Sequence, residues 1–376
     1  MSGTRVALVY LARQAEGMPP LRRFAESYAR HRGGIDHDLV VVYKGFSQRD
    51  ALGAARSVFS SIPHSGLELT DAGLDIGSYL AAAAALPHEY VCFVNTFSEI
   101  VADDWLGNLH RFVSMQGVGI AGATGSYESL KSSLKLTHKV RWLCNEARIG
   151  YDERLVHYYD FILELGCRVW KARGAGLPYS TWEALVAGFK ALGWRYRGAA
   201  SIIEVLRSPS GREPLDEQFE RHWIHLLAPG RFLAEYAQFP AFPNPHIRSN
   251  AFMIERRRLL EIGFKAPDSK IAACAFESGA DSLSSRLRRQ GLRTLVVDKH
   301  GRGHDLPEWS GSATFRLREQ EDLLVHDKQT RSFDSMSPGT RLTHRRLSWG
   351  DYLGEPPGDF PDVGLQFPVI PGFSGT

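Results

Sequence analysis

The sequence predicts an α/β protein built on a doubly wound, mostly parallel sheet. Three observations lead there. Short apolar runs alternate with segments of helical period along residues 5–124, the pattern of a parallel sheet with helices packed on it. The run Tyr90–Val94 (YVCFV) ends abruptly in the polar residues Asn95-Thr-Phe-Ser-Glu99, at the place where open sheets bind ligands beyond the carboxyl ends of their strands. A second set of alternating elements resumes after Pro240–Pro245 (PAFPNP).

The elements follow in order. Arg5–Leu11 (RVALVYL) and Asp38–Tyr43 (DLVVVY) read as strands buried on both faces, the second closed by a Lys44-Gly45 turn. Between them, Leu21–Arg30 places Leu21, Phe24, Ala25 and Tyr28 on one helical face. Ala51–Ser60 reads as a helix, Leu67–Leu69 as a short strand and Asp75–Ala85 as a helix leading into the central strand Tyr90–Val94. Trp105–Met115 is a further helix and Val118–Thr124 a further strand. In the second half, Asn250–Ile254 and Leu292–Val297 read as strands, and Arg256–Ile262 and Ser282–Gln290 as helices. Four regions result: 1–130, a helical insertion over 131–235, the rest of the sheet domain over 236–330, and a C-terminal extension over 331–376. Within the extension, Gly354–Thr376 reads as a mostly coil tail.

Composition narrows the function classes. Over 376 residues, 43% hydrophobic and 23% charged residues are those of an ordinary globular protein able to bury a large core. A formal charge of +3 gives no ground for a nucleic-acid partner, while acidic ligands remain compatible. The four cysteines (Cys92, Cys144, Cys167, Cys274) form no CxxC pair, so a reducing, cytoplasmic setting is the simpler expectation. No stretch reaches the roughly 18 apolar residues of a membrane span, and the N-terminal run has strand length rather than signal-peptide form. The Trp- and Arg-rich part of the insertion (Trp142, Arg148, Arg168, Trp170, Arg173, Trp182, Trp194, Arg195, Arg197) reads either as that region's core or as a peripheral membrane contact.

Motifs narrow them further. Gly117–Gly122 matches GxGxxG, but a helix precedes it and its glycines lie inside a strand, which is the wrong context for a dinucleotide fingerprint. Walker A, HExxH and GxSxG patterns are missing from the sequence. Asp75 suits either a ribose diol or a helix cap. His246, Arg248 and Asn250 lie in a loop entering a strand, where an arginine fork could meet phosphate oxygens or be ordinary loop polarity.

The layout resembles a GT-A-fold glycosyltransferase, near the family-2 type and the rhamnan-synthesis F-like proteins. The residues that carry the resemblance are Gly73-Leu-Asp-Ile-Gly-Ser-Tyr79, similar to a G-x-D-I-G turn, and Phe93-Val-Asn-Thr96, standing where the central strand ends in D-x-D or N-S. Asn250-Ala-Phe-Met-Ile-Glu-Arg256 with Leu260-Glu-Ile-Gly-Phe264 is similar to the family's second-half R-R-x-x-L pattern. The segment from Glu277 through Arg286 to Gly291 resembles the helix that carries the base in inverting members. The likeness covers about Arg5–Thr124 and Asn244–His304.

It implies a nucleotide-diphosphate sugar as donor, a glycan or lipid-linked glycan as acceptor, and a role in surface polysaccharide assembly. Residues 1–130 would then be the nucleotide-sugar half and 236–330 the acceptor half. Tyr10, Arg13, Asp75, Asn95 and Arg248 would line the donor site. Glu277, or Asp281 close by, would take the acceptor proton. In place of D-x-D the chain offers Asn95, Ser98 and Glu99. Either Glu99 and His304 hold Mn²⁺ or Mg²⁺, with Asp305 competing for the histidine's role, or Arg and Lys meet the diphosphate charge. Trp309 would stack on a sugar or pack under its loop. The missing D-x-D also favours a second reading, a non-catalytic nucleotide-sugar or glycan-binding module. A nucleotidyltransferase is a third, poorly served by Ala12–Gly17 as a phosphate loop.

Overall fold

A computed structural model describes residues 5–130, 238–240 and 242–350. Two compact units divide the chain, one of Met1–Ser129 with Phe239–Gly364 and one of Leu130–Gln238 with Leu365–Thr376. Apart from Leu130 and Gln238, every described residue belongs to the first. The expected helical insertion, with its membrane-contact reading, and the tail beyond residue 350 lie outside the described residues.

The first half contributes β1 (Val6–Arg13), α1 (Met18–Arg30), β2 (Asp38–Lys44), α2 (Arg49–Val58), β3 (Ser65–Leu69), α3 (Leu74–Ala85) and β4 (Tyr90–Val94). After these come β5 (Glu99–Ile100), α4 (Trp105–Val113), β6 (Val118–Gly122) and β7 (Gly125–Ser126). The second half adds β8 (His246–Ile247), β9 (Ala251–Glu255), α5 (Arg256–Ile262), α6 (Lys270–Ser278), α7 (Leu283–Arg289), β10 (Arg293–Val297) and β11 (Gly303–His304). Last come β12 (Val325–His326), α8 (Lys328–Asp334) and α9 (Pro338–Trp349). Two helices thus precede the tail that begins at Gly354. Asp327 opens the first of them by accepting from the Thr330 amide at 2.8 Å.

Eight strands form one sheet in the order β11-β10-β6-β9-β4-β1-β2-β3. All run parallel except β9, which opposes both β4 and β6, and the edge strand β11. This is the mostly parallel, doubly wound sheet that the sequence predicts. Which strand reverses is what the sequence leaves open, because a buried apolar run looks the same either way.

Successive β1 residues face opposite layers. Val6, Leu8, Tyr10 and Ala12 pack with residues of α1, α2 and α4, whereas Ala7, Val9 and Leu11 pack with those of α3, α5, α6 and α7. Two of the GxGxxG glycines serve packing, since a Cβ on Gly119 would lie 3.0 Å from Leu292 Cβ and one on Gly122 2.3 Å from Ile247 Cγ2, while Gly117 turns the chain at positive φ.

The chain winds from β1 out to β3 and returns on the other side of β1 as β4. The strand order therefore reverses between β1 and β4, and the crevice at their carboxyl ends is where ligands enter such sheets. Because β9 runs backwards beside β4, its entry loop, residues 244–250, reaches that same edge. Among the described residues no helix is long and apolar enough to cross a membrane.

A buried ion pair locks the C-terminal elements to this loop. Arg248 Nη2 donates to Asp327 Oδ2 at 2.7 Å, with both side chains almost wholly buried. Burial alone would raise the Asp327 pKa, but Arg248 and the Thr330 amide outweigh it and hold it below the ordinary carboxylate value. The contribution of this group to stability is complete above about pH 4 and is lost as pH falls toward the native pKa. Asp327→Ala should cost about 3–5 kcal/mol in denaturant unfolding, because it leaves a buried arginine unpaired. Asp327→Asn should flatten the loss of stability below about pH 4. A cost under about 0.5 kcal/mol in the alanine variant would show that the pair contributes nothing.

Candidate active site

The carboxyl edge of the sheet gathers two groups of polar residues. One lies beyond β1, β2 and β3. Arg13, at the end of β1, grips Asp71 with both ends of its fork, Nε to Oδ1 at 2.7 Å and Nη2 to Oδ2 at 2.8 Å, and reaches Glu16 at 3.3 Å. The Arg13 hydrogen bonds hold the Asp71 carboxyl below its ordinary pKa. Asp75 stands in the first turn of α3, after Gly73 and Leu74, both at positive φ. Burial pushes the Asp75 pKa up against the pull of Lys270, Lys44 and Arg13. It is a carboxylate short of solvent with three cations around it.

Lys44 is the residue that sequence reasoning missed. Read there only as part of a turn, it is wholly buried. Its Nζ donates to the Ala72 carbonyl at 2.7 Å, to Ser78 Oγ at 3.1 Å and to the Leu74 carbonyl. The ammonium therefore clamps the turn that presents Asp75. A lysine closing an otherwise apolar strand was the available signal, since Lys is rarely buried without partners.

The second group centres on Glu277, in the last turn of α6. The helix read over Ser282–Gln290 is α7, whereas α6 is a separate helix that ends at Gly279, so Glu277 and Asp281 part. Glu277 Oε2 accepts from the Ser249 amide at 2.6 Å and from Ser249 Oγ. Its Oε1 faces His246 Nε2 at 3.8 Å. His246 is buried, with Nδ1 2.8 Å from the Asn244 carbonyl, and burial lowers its pKa. Further bonds tie the loop to α6 and α7: Asn244 Nδ2 donates to the Ser278 carbonyl and the Ile247 amide to Ser284 Oγ. A bridge connects the two groups, since Tyr79 of α3 donates to the Ser249 carbonyl at 3.4 Å.

The remaining candidates take other places. Asp281 is exposed and bound to Arg286 and Arg289, which hold its pKa down; it does not join Glu277. Tyr10 has no exposed surface. It stacks on Phe24 at 3.7 Å and donates to the Thr96 carbonyl at 3.0 Å, so it is a core residue rather than a nucleotide contact. Arg248 is engaged by Asp327 and lies 3.8 Å over the Phe315 ring. Asn95 Oδ1 accepts from the Phe97 amide and Ser98 Oγ, closing a turn at the carboxyl end of β4. Asn250 is buried and joins Thr124, so it belongs to the sheet edge and not to a wall open to ligand. Trp309 packs under its loop and donates to the His304 carbonyl.

The expected metal ligands do not meet. Glu99 pairs with Arg331 at 3.2 Å, and His304 lies 3.0 Å from Asp298. His304 is on the edge strand β11, four strands from β4, or roughly 19 Å at about 4.8 Å per strand. Among the described residues no three His, Cys, Asp or Glu side chains cluster as a metal site would need. The residues present do not fit a divalent ion at Glu99 and His304.

No family model and no curated protein matches the chain. Among solved structures it is similar to S. aureus TarS in complex with UDP-GlcNAc, at 16% identity and a TM-score of 0.26, over 31% of this chain and 33% of that one. The TarS complex with UDP gives 16% identity and a TM-score of 0.25, over 31% and 34%. The chain thus spans about a third of the length of these structures. The mannosyltransferase PcManGT from Pyrobaculum calidifontis, in complex with GDP-Man and Mn²⁺, gives 13% identity and a TM-score of 0.32, over 62% of this chain and 86% of that one. Likenesses this slight carry no argument about chemistry, and the strand order above rests on this chain alone.

The Lys44 clamp is testable. Lys44→Met strips donors from two turn carbonyls and should lower unfolding stability by about 2–4 kcal/mol. A stability unchanged within about 0.5 kcal/mol would show that the turn holds without it.

Proposed function

We propose that the protein is a glycosyltransferase that uses a nucleotide-diphosphate sugar, with the donor bound at the carboxyl edge beside Arg13 and Asp75. One observation carries this reading. A carboxylate, Glu277 in the last turn of α6, has Oε2 fixed by the Ser249 amide and hydroxyl while Oε1 stays outside that pair, 3.8 Å from His246, beside the loop that lies at the same sheet edge. Inverting transfer needs such a group. The acceptor hydroxyl oxygen attacks the anomeric carbon and its proton passes to Glu277. The bond from that carbon to the diphosphate breaks, and its electron pair leaves with the nucleotide.

Arg13, Lys270 and Lys44 supply positive charge around Asp75, and Arg13 could turn from Asp71 to a diphosphate at small cost. Exposed ion pairs contribute only about 0–1 kcal/mol. Asp75 suits the ribose diol. A divalent ion, if used, would need ligands other than Glu99 and His304. The acceptor in this reading is a glycan or lipid-linked glycan, in surface polysaccharide assembly on the cytoplasmic side.

The engagement of Asn95 in a turn favours a second reading, a module of the same fold that binds nucleotide sugars or glycans without turnover. Titration calorimetry with UDP-GlcNAc and GDP-mannose, with and without Mn²⁺, tests the first step. Binding of one donor, weakened about tenfold or more in Asp75→Ala, is expected. Binding with no nucleotide release over hours would establish the module instead. No binding of any nucleotide sugar would overturn the transferase reading and, of the second, leave only a glycan-binding module.

A further inference from the structure

We infer that Glu277 Oε1 and His246 Nε2 together form a two-acceptor seat for the nucleophile's O–H, in which Glu277 takes the proton and His246 sets the orientation. The inference rests on the transferase reading and adds to it a second residue and a geometry. The His246 Nδ1 atom lies 2.8 Å from a backbone carbonyl, which can only accept, so Nδ1 carries the hydrogen. The imidazole is buried and its pKa is held low, leaving Nε2 as a bare lone pair. Nε2 lies 3.8 Å from the Glu277 Oε1 oxygen. Two acceptors cannot bond each other, and only a donor placed between them satisfies both.

Geometry fixes the donor. An oxygen about 2.8 Å from each atom sees them at an angle of roughly 85–90°. Water fits, with one hydrogen to each acceptor. Two neighbouring hydroxyls of a sugar also fit, one donating to each. Glu277 keeps Oε1 for this purpose because both Ser249 donors occupy Oε2. Ser249 is thus a positioning residue that selects the reactive oxygen. When water takes the acceptor's place, its oxygen bonds to the anomeric carbon, one water proton passes to Oε1, and the sugar–diphosphate bond breaks with its electron pair on the phosphate. His246 holds the second hydrogen in place throughout.

The test uses slow hydrolysis of whichever donor the full-length chain accepts, followed by nucleotide release, with donor KM and thermal stability measured in parallel. Glu277→Gln should lower kcat by about 10²-fold or more. His246→Phe should lower it about tenfold with donor KM unchanged. His246→Gln, whose amide oxygen can stand near the Nε2 position, should recover most of that loss. Ser249→Ala should lower kcat without moving KM, and Ser249→Thr should restore it. Loss in Glu277→Gln with full rate in a folded His246→Phe would overturn the seat while leaving the transferase reading standing. An equal loss in His246→Phe and His246→Gln at unchanged stability would also overturn it. If the wild type neither hydrolyses a donor nor transfers its sugar to a glycan acceptor, the transferase reading itself falls, and the seat falls with it.

Discussion

Asn250 ties together the three strand ends on which the site depends. Its carbonyl accepts from the Asn95 amide at 3.0 Å and from Ser98 Oγ at 3.4 Å, beyond β4. Its side-chain oxygen accepts from Thr124 Oγ1 at 2.6 Å, beyond β6. These contacts seat β9 between β4 and β6, antiparallel to both. The reversed direction has a direct consequence. A strand that runs against its neighbours begins where they end, so the loop before β9 reaches the carboxyl edge with His246 and Ser249 in it. A parallel strand in the same slot would have sent that loop to the opposite edge.

Charge is divided along this edge by how costly each pair is to break. Arg248 and Asp327 are both buried, and separating such a pair costs several kcal/mol. Arg248 is therefore not available to a ligand, although its place in the loop suggested one. Arg13 and Asp71 are linked by two hydrogen bonds, yet both keep substantial exposure. An incoming anion competes with that pair for about 1 kcal/mol or less. The same edge thus holds one arginine that fastens the fold and one that a ligand could recruit.

Most of the sheet was legible in the sequence because buried strands and amphipathic helices leave strong periodic signals. Tyr90–Val94 and Arg256–Ile262 fall where their patterns place them. Strand direction was not legible for β9, since Ala-Phe-Met-Ile-Glu carries no mark of orientation. The helix over Lys270–Ser278 was hidden because its identity as a separate element depends on the break at Gly279. Of the candidate site, Asp75 was suggested by turn chemistry and Glu277 by the family resemblance, and both lie at the carboxyl edge. Lys44 was not, because its role depends on carbonyls about thirty residues away. Tyr10 was misplaced for the converse reason: a tyrosine near a strand end can face the crevice or a helix, and stacking on Phe24 decides it.

The central claim is that the carboxyl edge between β1 and β4 is the ligand site. Hydrogen–deuterium exchange of the full-length chain, with and without saturating UDP or GDP, tests it most directly. The account predicts slowed exchange confined to residues 71–78 and 244–250, reporting the Asp75 turn and the Ser249 loop. Slowed exchange elsewhere with both of those segments unchanged, for example along α1 and α2, would contradict it.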